Sequence, residues 1–171
     1  MTPAQGVPFR VGHGYDLHRL RHGGTLTLGG VAVSNELSPV AHSDGDVVLH
    51  AIVDALLGAM GWGDIGEHFP DTDARWKGAA SRVFVDEVYG RVVTAGFAVM
   101  NVDVTVLAER PKLKAFKPQM IRSIADALRA SPEQVNVKAG TNEGCDAIGR
   151  GEAIAAHAVV LLAGRGEMTK T

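Results

Sequence analysis

The chain has a single cysteine, Cys145, among its 171 residues. One thiol excludes an internal disulfide framework and a metal cluster built from several thiolates. Aromatic residues are scarce, at 5%, and no apolar run is long enough to cross a bilayer. An excess of one charge is also missing, because 17 Lys and Arg face 19 Asp and Glu for a net of -2. That balance leaves no electrostatic footprint for nucleic acid or an acidic membrane surface, so neither is expected as a partner. The opening MTPAQGVPFR lacks the basic-then-apolar order of a secretory leader. The cytoplasm is therefore the expected compartment.

What the chain does have is 46% hydrophobic residues and 21 glycines. This length and composition predict one domain over residues 1–171, with loose tails at 1–8 and 164–171. Residues 41–58, AHSDGDVVLHAIVDALLG, start polar and turn almost wholly apolar. That pattern predicts a buried helix, with Ser43 or Asp44 as its N-cap. Residues 9–20 and 97–108 alternate as strands, and Gly29-Gly30 between two short β-branched runs predicts a hairpin. Helices are expected over 81–94 and 118–129, and a short strand over 135–139. Residues 153–163 form a continuous apolar run that reads as a strand or a helix; as a strand it would be buried on both faces, which hints at a subunit interface. The expected fold is α+β, a two-layer sandwich of a mixed β-sheet with helices on one face.

Several polar residues stand out from this scaffold. Asp16 and His18 lie two apart on a strand and so share a face. With His50 from the buried helix they offer one oxygen and two nitrogen donors, a pattern that suits a catalytic zinc ion with an open position. Asp46 and Asp54 flank His50 at four-residue spacing and are candidates to orient its ring. His42, at the expected start of the helix, could meet an anion there. In the glycine-rich loop 140–151, Thr141, Glu143 and Arg150 could meet phosphate and a second, hard cation. That loop has neither the P-loop's nor the dinucleotide-binding fold's spacing.

The segments GHGYDLH (12–18), AHSDGDVVLHA (41–51), GDIGEHFPDTD (63–73), NVDVTVLAERPK (101–112) and GRGE (149–152) resemble those of the 2-C-methyl-D-erythritol 2,4-cyclodiphosphate synthases. The resemblance runs from about residue 10 to 162. It implies a homotrimer, sheets inward, with active sites between subunits, acting on a small-molecule substrate. The implied reaction converts 4-diphosphocytidyl-2-C-methyl-D-erythritol 2-phosphate to the cyclic diphosphate and CMP, in the non-mevalonate route to isoprenoids. The implied zinc ligands are Asp16, His18 and His50, and Glu143 would hold magnesium or manganese. His42 and Thr141 match residues taken to stabilise the transition state, with Ser43 beside the first. Asp64, Ile65 and Gly66 match contacts to the erythritol hydroxyls. Phe69, Pro70, Asp71, Thr72 and Asp73 match the adjoining loop. Ala108, Pro111, Lys112, Leu113 and Lys114 match the cytidine pocket, with Lys112 at a phosphate. Gly140, Asn142 and Ala147 sit at substrate-facing positions, and Arg150 matches a substrate-contacting arginine. The departures are local: the family often reads A-T-T-T-E where this chain has 139–143 AGTNE, and phenylalanine or leucine is common where Ala147 stands. The alternative reading is a zinc-dependent phosphodiesterase that activates water.

Overall fold

Along the first strand, β1 (Phe9–His22), burial alternates: Gly12 and Gly14 are buried while Phe9, Val11, Tyr15 and Leu17 are exposed. The period of two gives this strand one covered and one open face. The computed structural model describes residues 9–164. The tails expected at 1–8 and 164–171 lie outside them, except Gly164, which ends the last strand. A hairpin follows β1, formed by β2 (Leu26–Leu28) and β3 (Val31–Ser34). Gly29 and Gly30 make its turn at φ 58 and 77, a left-handed backbone that glycine adopts without a Cβ clash. The short β4 (Leu37–Pro39), which no sequence pattern announced, pairs with the end of β1.

Helix α1 (Val47–Met60) starts later than Ser43 or Asp44 would place it. Its N-cap is Asp46, whose side chain accepts the N–H groups of Val48 and Leu49. Residues 41–46, His42 and Ser43 included, are loop. Eleven of α1's residues are buried, so its apolar perimeter matches a helix enclosed on nearly every side. It packs on β1 across bare backbone, since a Cβ on Gly12 would lie 1.8 Å from the carbonyl oxygen of Ala55. The segment 61–79 contains α2 (Ile65–His68) and one 3-10 turn (Ala74–Trp76). Then come α3 (Ser81–Thr94), β5 (Phe97–Leu107), α4 (Lys117–Ala127), β6 (Val135–Gly140) and the short α5 (Asp146–Gly149).

The apolar run at the end is strand β7 (Ala153–Gly164). It pairs antiparallel with β1 on one side and β5 on the other, which settles the strand-or-helix question. The five-stranded sheet has the order β4-β1-β7-β5-β6, mixed because β5 and β6 run parallel. Helix α1 contacts β1 and β7, α3 contacts β5, and α4 contacts β6. The positions of β1, β7 and β5 in register with Gly14, namely Ala158 and Val104, are buried in one core with α1. On the opposite face Val11 is 67% exposed and Val159 40%. No helix among the described residues is long and apolar enough to cross a membrane.

Candidate functional site

The covered face of β1 carries Asp16 and His18, and the first turns of α1 bring His50 down onto them. Nδ1 of His50 stands 2.9 Å from Oδ2 of Asp16, and Nε2 of His18 lies 3.3 Å from the same nitrogen. One donor atom from each residue falls within 4.8 Å of the others. An oxygen and two imidazole nitrogens at this spacing suit a borderline divalent transition metal with open positions. Protonation agrees with that use. Burial raises Asp16, but the hydrogen bond with His50 and the charges of His18 and His50 outweigh it and hold the acid below its ordinary range. Burial lowers His18, favouring the neutral ring that a metal needs.

These three residues open on a cavity of about 470 Å³. Of the other residues singled out from sequence, His42, Ser43, Ile65, Gly66, Phe69, Pro70 and Asp71 line it too. Asp64, Thr72 and Asp73 do not. Asp64 caps α2 by accepting the N–H of Glu67, and Asp73 is gripped by Arg75, with Nη2 at 2.6 Å. Two aromatic residues that sequence reasoning passed over, Trp76 and Phe84, complete the wall. Trp76 meets Phe69 edge-on and Phe84 stacks on it, at ring centroids 5.2 and 4.6 Å, and together they give the cavity an apolar side.

Two expectations need correction. Asp46 does not orient His50. Its oxygens accept the N–H groups of Gly29 and Gly30, at 2.9 and 2.7 Å, besides capping α1, so it ties the hairpin to the helix. Asp54 accepts the N–H of Ile65 at 2.8 Å and anchors the cavity wall instead of the ring. Four-residue spacing put both on His50's side of the helix, but each meets main-chain donors from another segment. The partners of His50 Nε2 are hydroxyls: Ser81 Oγ at 2.8 Å and Ser43 Oγ at 3.2 Å. His42 also departs from expectation. It lies in the loop before the helix, and its Nε2 stands 3.4 Å from the carbonyl oxygen of Asp73.

The second group of candidates lies elsewhere. Ala108, Pro111, Lys112, Leu113, Lys114, Gly140 and Thr141 line another cavity, of about 400 Å³, together with Lys117. No residue lines both. In the sheet, Asp16 is level with Ala156, Val106 and Ala139 in turn. Three strand spacings, about 14 Å, therefore separate the β1 cluster from β6, whose end leads to Thr141. Thr141 donates its hydroxyl to Glu143 at 2.9 Å. An exposed single carboxylate fits a hard cation only when other oxygens, such as phosphates, complete the sphere. Asn142 donates to Asp146, and Ala147 packs in a small cluster against Ile148. Arg150 pairs with Glu152 at 3.0 Å, on the wall of a third cavity beside Lys112.

A family model described as the YgbB family matches residues 9–163. The 2-C-methyl-D-erythritol 2,4-cyclodiphosphate synthase of Pelobacter propionicus is 50% identical over 157 residues, 92% of this chain and 99% of that protein. Among solved structures, the bifunctional IspDF of Campylobacter jejuni matches with a TM-score of 0.88 at 42% identity. That match covers 91% of this chain but only 42% of the larger protein. IspF of Plasmodium falciparum, solved as a CDP complex, matches with a TM-score of 0.83 at 34% identity, over 94% of this chain and 99% of that one.

Proposed function

The chain belongs to the YgbB family of 2-C-methyl-D-erythritol 2,4-cyclodiphosphate synthases, and from that premise we infer the task of each part of its site. Its activity is the family's, in isoprenoid biosynthesis. The substrate, 4-diphosphocytidyl-2-C-methyl-D-erythritol 2-phosphate, yields the 2,4-cyclodiphosphate and CMP. The observation that carries the reading is the meeting of Asp16, His18 and His50 on one cavity wall with His42 and Ser43.

An oxygen of the 2-phosphate forms a bond to the β-phosphorus of the same molecule. The bond from that phosphorus to the α,β-bridging oxygen breaks, and CMP leaves with the electron pair. Both reactants are one molecule, so the protein's task is to fold it and offset the repulsion between phosphates. The attacking phosphate is already ionised at neutral pH, and no side chain has to act as a base. Asp16, His18 and His50 are the proposed ligands of a divalent transition metal, with zinc the proposed ion, and Glu143 the proposed ligand of magnesium or manganese. Bound there, the two ions would supply Lewis-acid polarisation of the β-phosphate and charge neutralisation at the departing CMP. His42 and Thr141 donate hydrogen bonds to the oxygens that gain charge, and Ser43 assists the first. Asp64, Ile65 and Gly66 hold the erythritol hydroxyls. The segment Phe69 to Asp73 closes over them. The pocket from Ala108 to Lys114 receives the cytidine, with Lys112 and Arg150 countering phosphate charge.

Our reading of the assembly is a trimer of single-domain subunits, with each active site shared between neighbours. Two observations support it. The metal-type cluster and the Thr141–Lys112 cavity have no lining residue in common within one copy. The open sheet face presents Phe9, Val11, Tyr15, Leu17 and Val159, an apolar surface of the kind that marks a protein contact. A polyanionic substrate does not cross bilayers, and the cytoplasm is the proposed compartment. The phosphodiesterase alternative gains nothing from relatives that are named synthases. Phosphorus NMR of the products tests the function: a cyclic diphosphate with one equivalent of CMP is expected, and a linear phosphate product would overturn it.

A further inference from the structure

We propose that Ser81 and Asp44 are positioning residues that fix the tautomer of His50 and so decide which of its ring nitrogens faces the metal. The proposal rests on the reading of Asp16, His18 and His50 as ligands. It starts from the number of protons available. A serine hydroxyl has one proton to donate. Ser81 directs it at Oδ1 of Asp44, in a short hydrogen bond. Asp44 is held as an acceptor on both oxygens, because Oδ1 also receives the N–H of Asp46 at 3.2 Å and Oδ2 that of Ser81 at 3.0 Å.

With its proton committed to Asp44, Ser81 Oγ has only lone pairs left for the imidazole 2.8 Å away. Nε2 of His50 must then be the N–H donor. Nδ1 is left with a free lone pair, and it is Nδ1 that stands beside Asp16 and His18. Ser43 is the weaker contact, its oxygen lying 3.2 Å from Nε2 against 2.8 Å for Ser81; it accepts the N–H of Gly45 and keeps a second lone pair that can accept the same Nε2–H. Ser81 is fully buried, so water does not replace its hydroxyl. The link joins two loop-to-helix junctions: Asp44 precedes α1, Ser81 opens α3, and the N–H of Asp44 donates to the carbonyl of Ala79 at 3.0 Å.

The test measures zinc affinity by competition with a chromophoric chelator, and the histidine nitrogens of the zinc-loaded protein by NMR. In the wild type, His50 is expected to bind zinc through Nδ1 and to keep a solvent-protected proton on Nε2. Ser81→Ala should lose that protection and bind zinc about 10–100-fold more weakly, the usual effect of removing a partner that orients a ligand. Ser81→Thr, which keeps the hydroxyl, should recover most of the affinity. Ligation through Nε2, or unchanged affinity in Ser81→Ala, would overturn the proposal. Should Ser81→Ala not fold, Asp44→Asn carries the same expectation of weakened binding. If the wild type binds no zinc, the ligand reading fails separately. The tautomer is then read in the metal-free protein at mildly alkaline pH, where a proton on Nε2 supports the proposal and one on Nδ1 alone overturns it.

Discussion

A methyl group on Gly14 would come within 1.9 Å of the carbonyl oxygen of Ala51. Strand and helix touch there through backbone alone, one residue from His50 on α1 and two residues from Asp16 on β1. The metal-type cluster is therefore a product of that close approach. Gly14→Ala must push α1 away from the sheet, at a cost of about 2–3 kcal/mol on the scale of an overpacked core. Urea unfolding should record that loss together with weaker metal binding. Wild-type stability would show that the helix yields without cost.

Asp46 makes stability depend on pH with an unusual sign. Burial raises its pKa from 3.8 to about 6, against the pull of the N–H groups of Gly30, Gly29 and Leu49. A pKa higher in the folded chain means folding favours the protonated acid. The contribution is full below the unfolded value and is lost as pH rises through about 6. Unfolding free energies measured between about pH 4 and pH 6 should thus fall more steeply with pH in the wild type than in Asp46→Asn. Equal slopes would contradict this account of the buried cap.

The exposed sheet face gives the proposed trimer a weak point. Val11, 67% exposed and paired with Leu161 of β7, belongs to that face. Val11→Lys would bring ammonium groups into an apolar contact at a large desolvation cost. Analytical ultracentrifugation should show a trimer for the wild type and monomers for the variant, with activity lost in parallel. A variant that stays trimeric would place the contact elsewhere.

Thr141 is proposed to act only as charge develops. Thr141→Val should lower kcat by about 10²–10³, as for the loss of one oxyanion donor, with little change in KM. Steady-state kinetics decide this. A rise in KM alone would make Thr141 a binding residue.

Much of this fold was legible from periodicity. The alternation in β1 and β5 and the Gly29-Gly30 turn needed only local rules, and Asp16-x-His18 shared a face by arithmetic. The start of α1 is not fixed by local sequence, because Ser43, Asp44 and Asp46 are chemically equivalent as caps. The choice depends on Gly29 and Gly30, whose N–H groups hold Asp46 from 16 and 17 residues away. Distance in sequence hid the partner of His50 as well, since Ser81 is 31 residues on and no spacing links them. Trp76 and Phe84 carry no local signal of a site, and only the fold brings them to the cavity wall. What periodicity cannot supply is the meeting of segments.

The central claim is that phosphate, not water, attacks the β-phosphorus. Running the reaction in ¹⁸O-labelled water and analysing both products by mass spectrometry tests it most directly. Intramolecular attack predicts a cyclic diphosphate and CMP that both carry no solvent oxygen. One ¹⁸O atom in either product would mean that water takes part in the bond-breaking step, and would contradict the cyclisation described here.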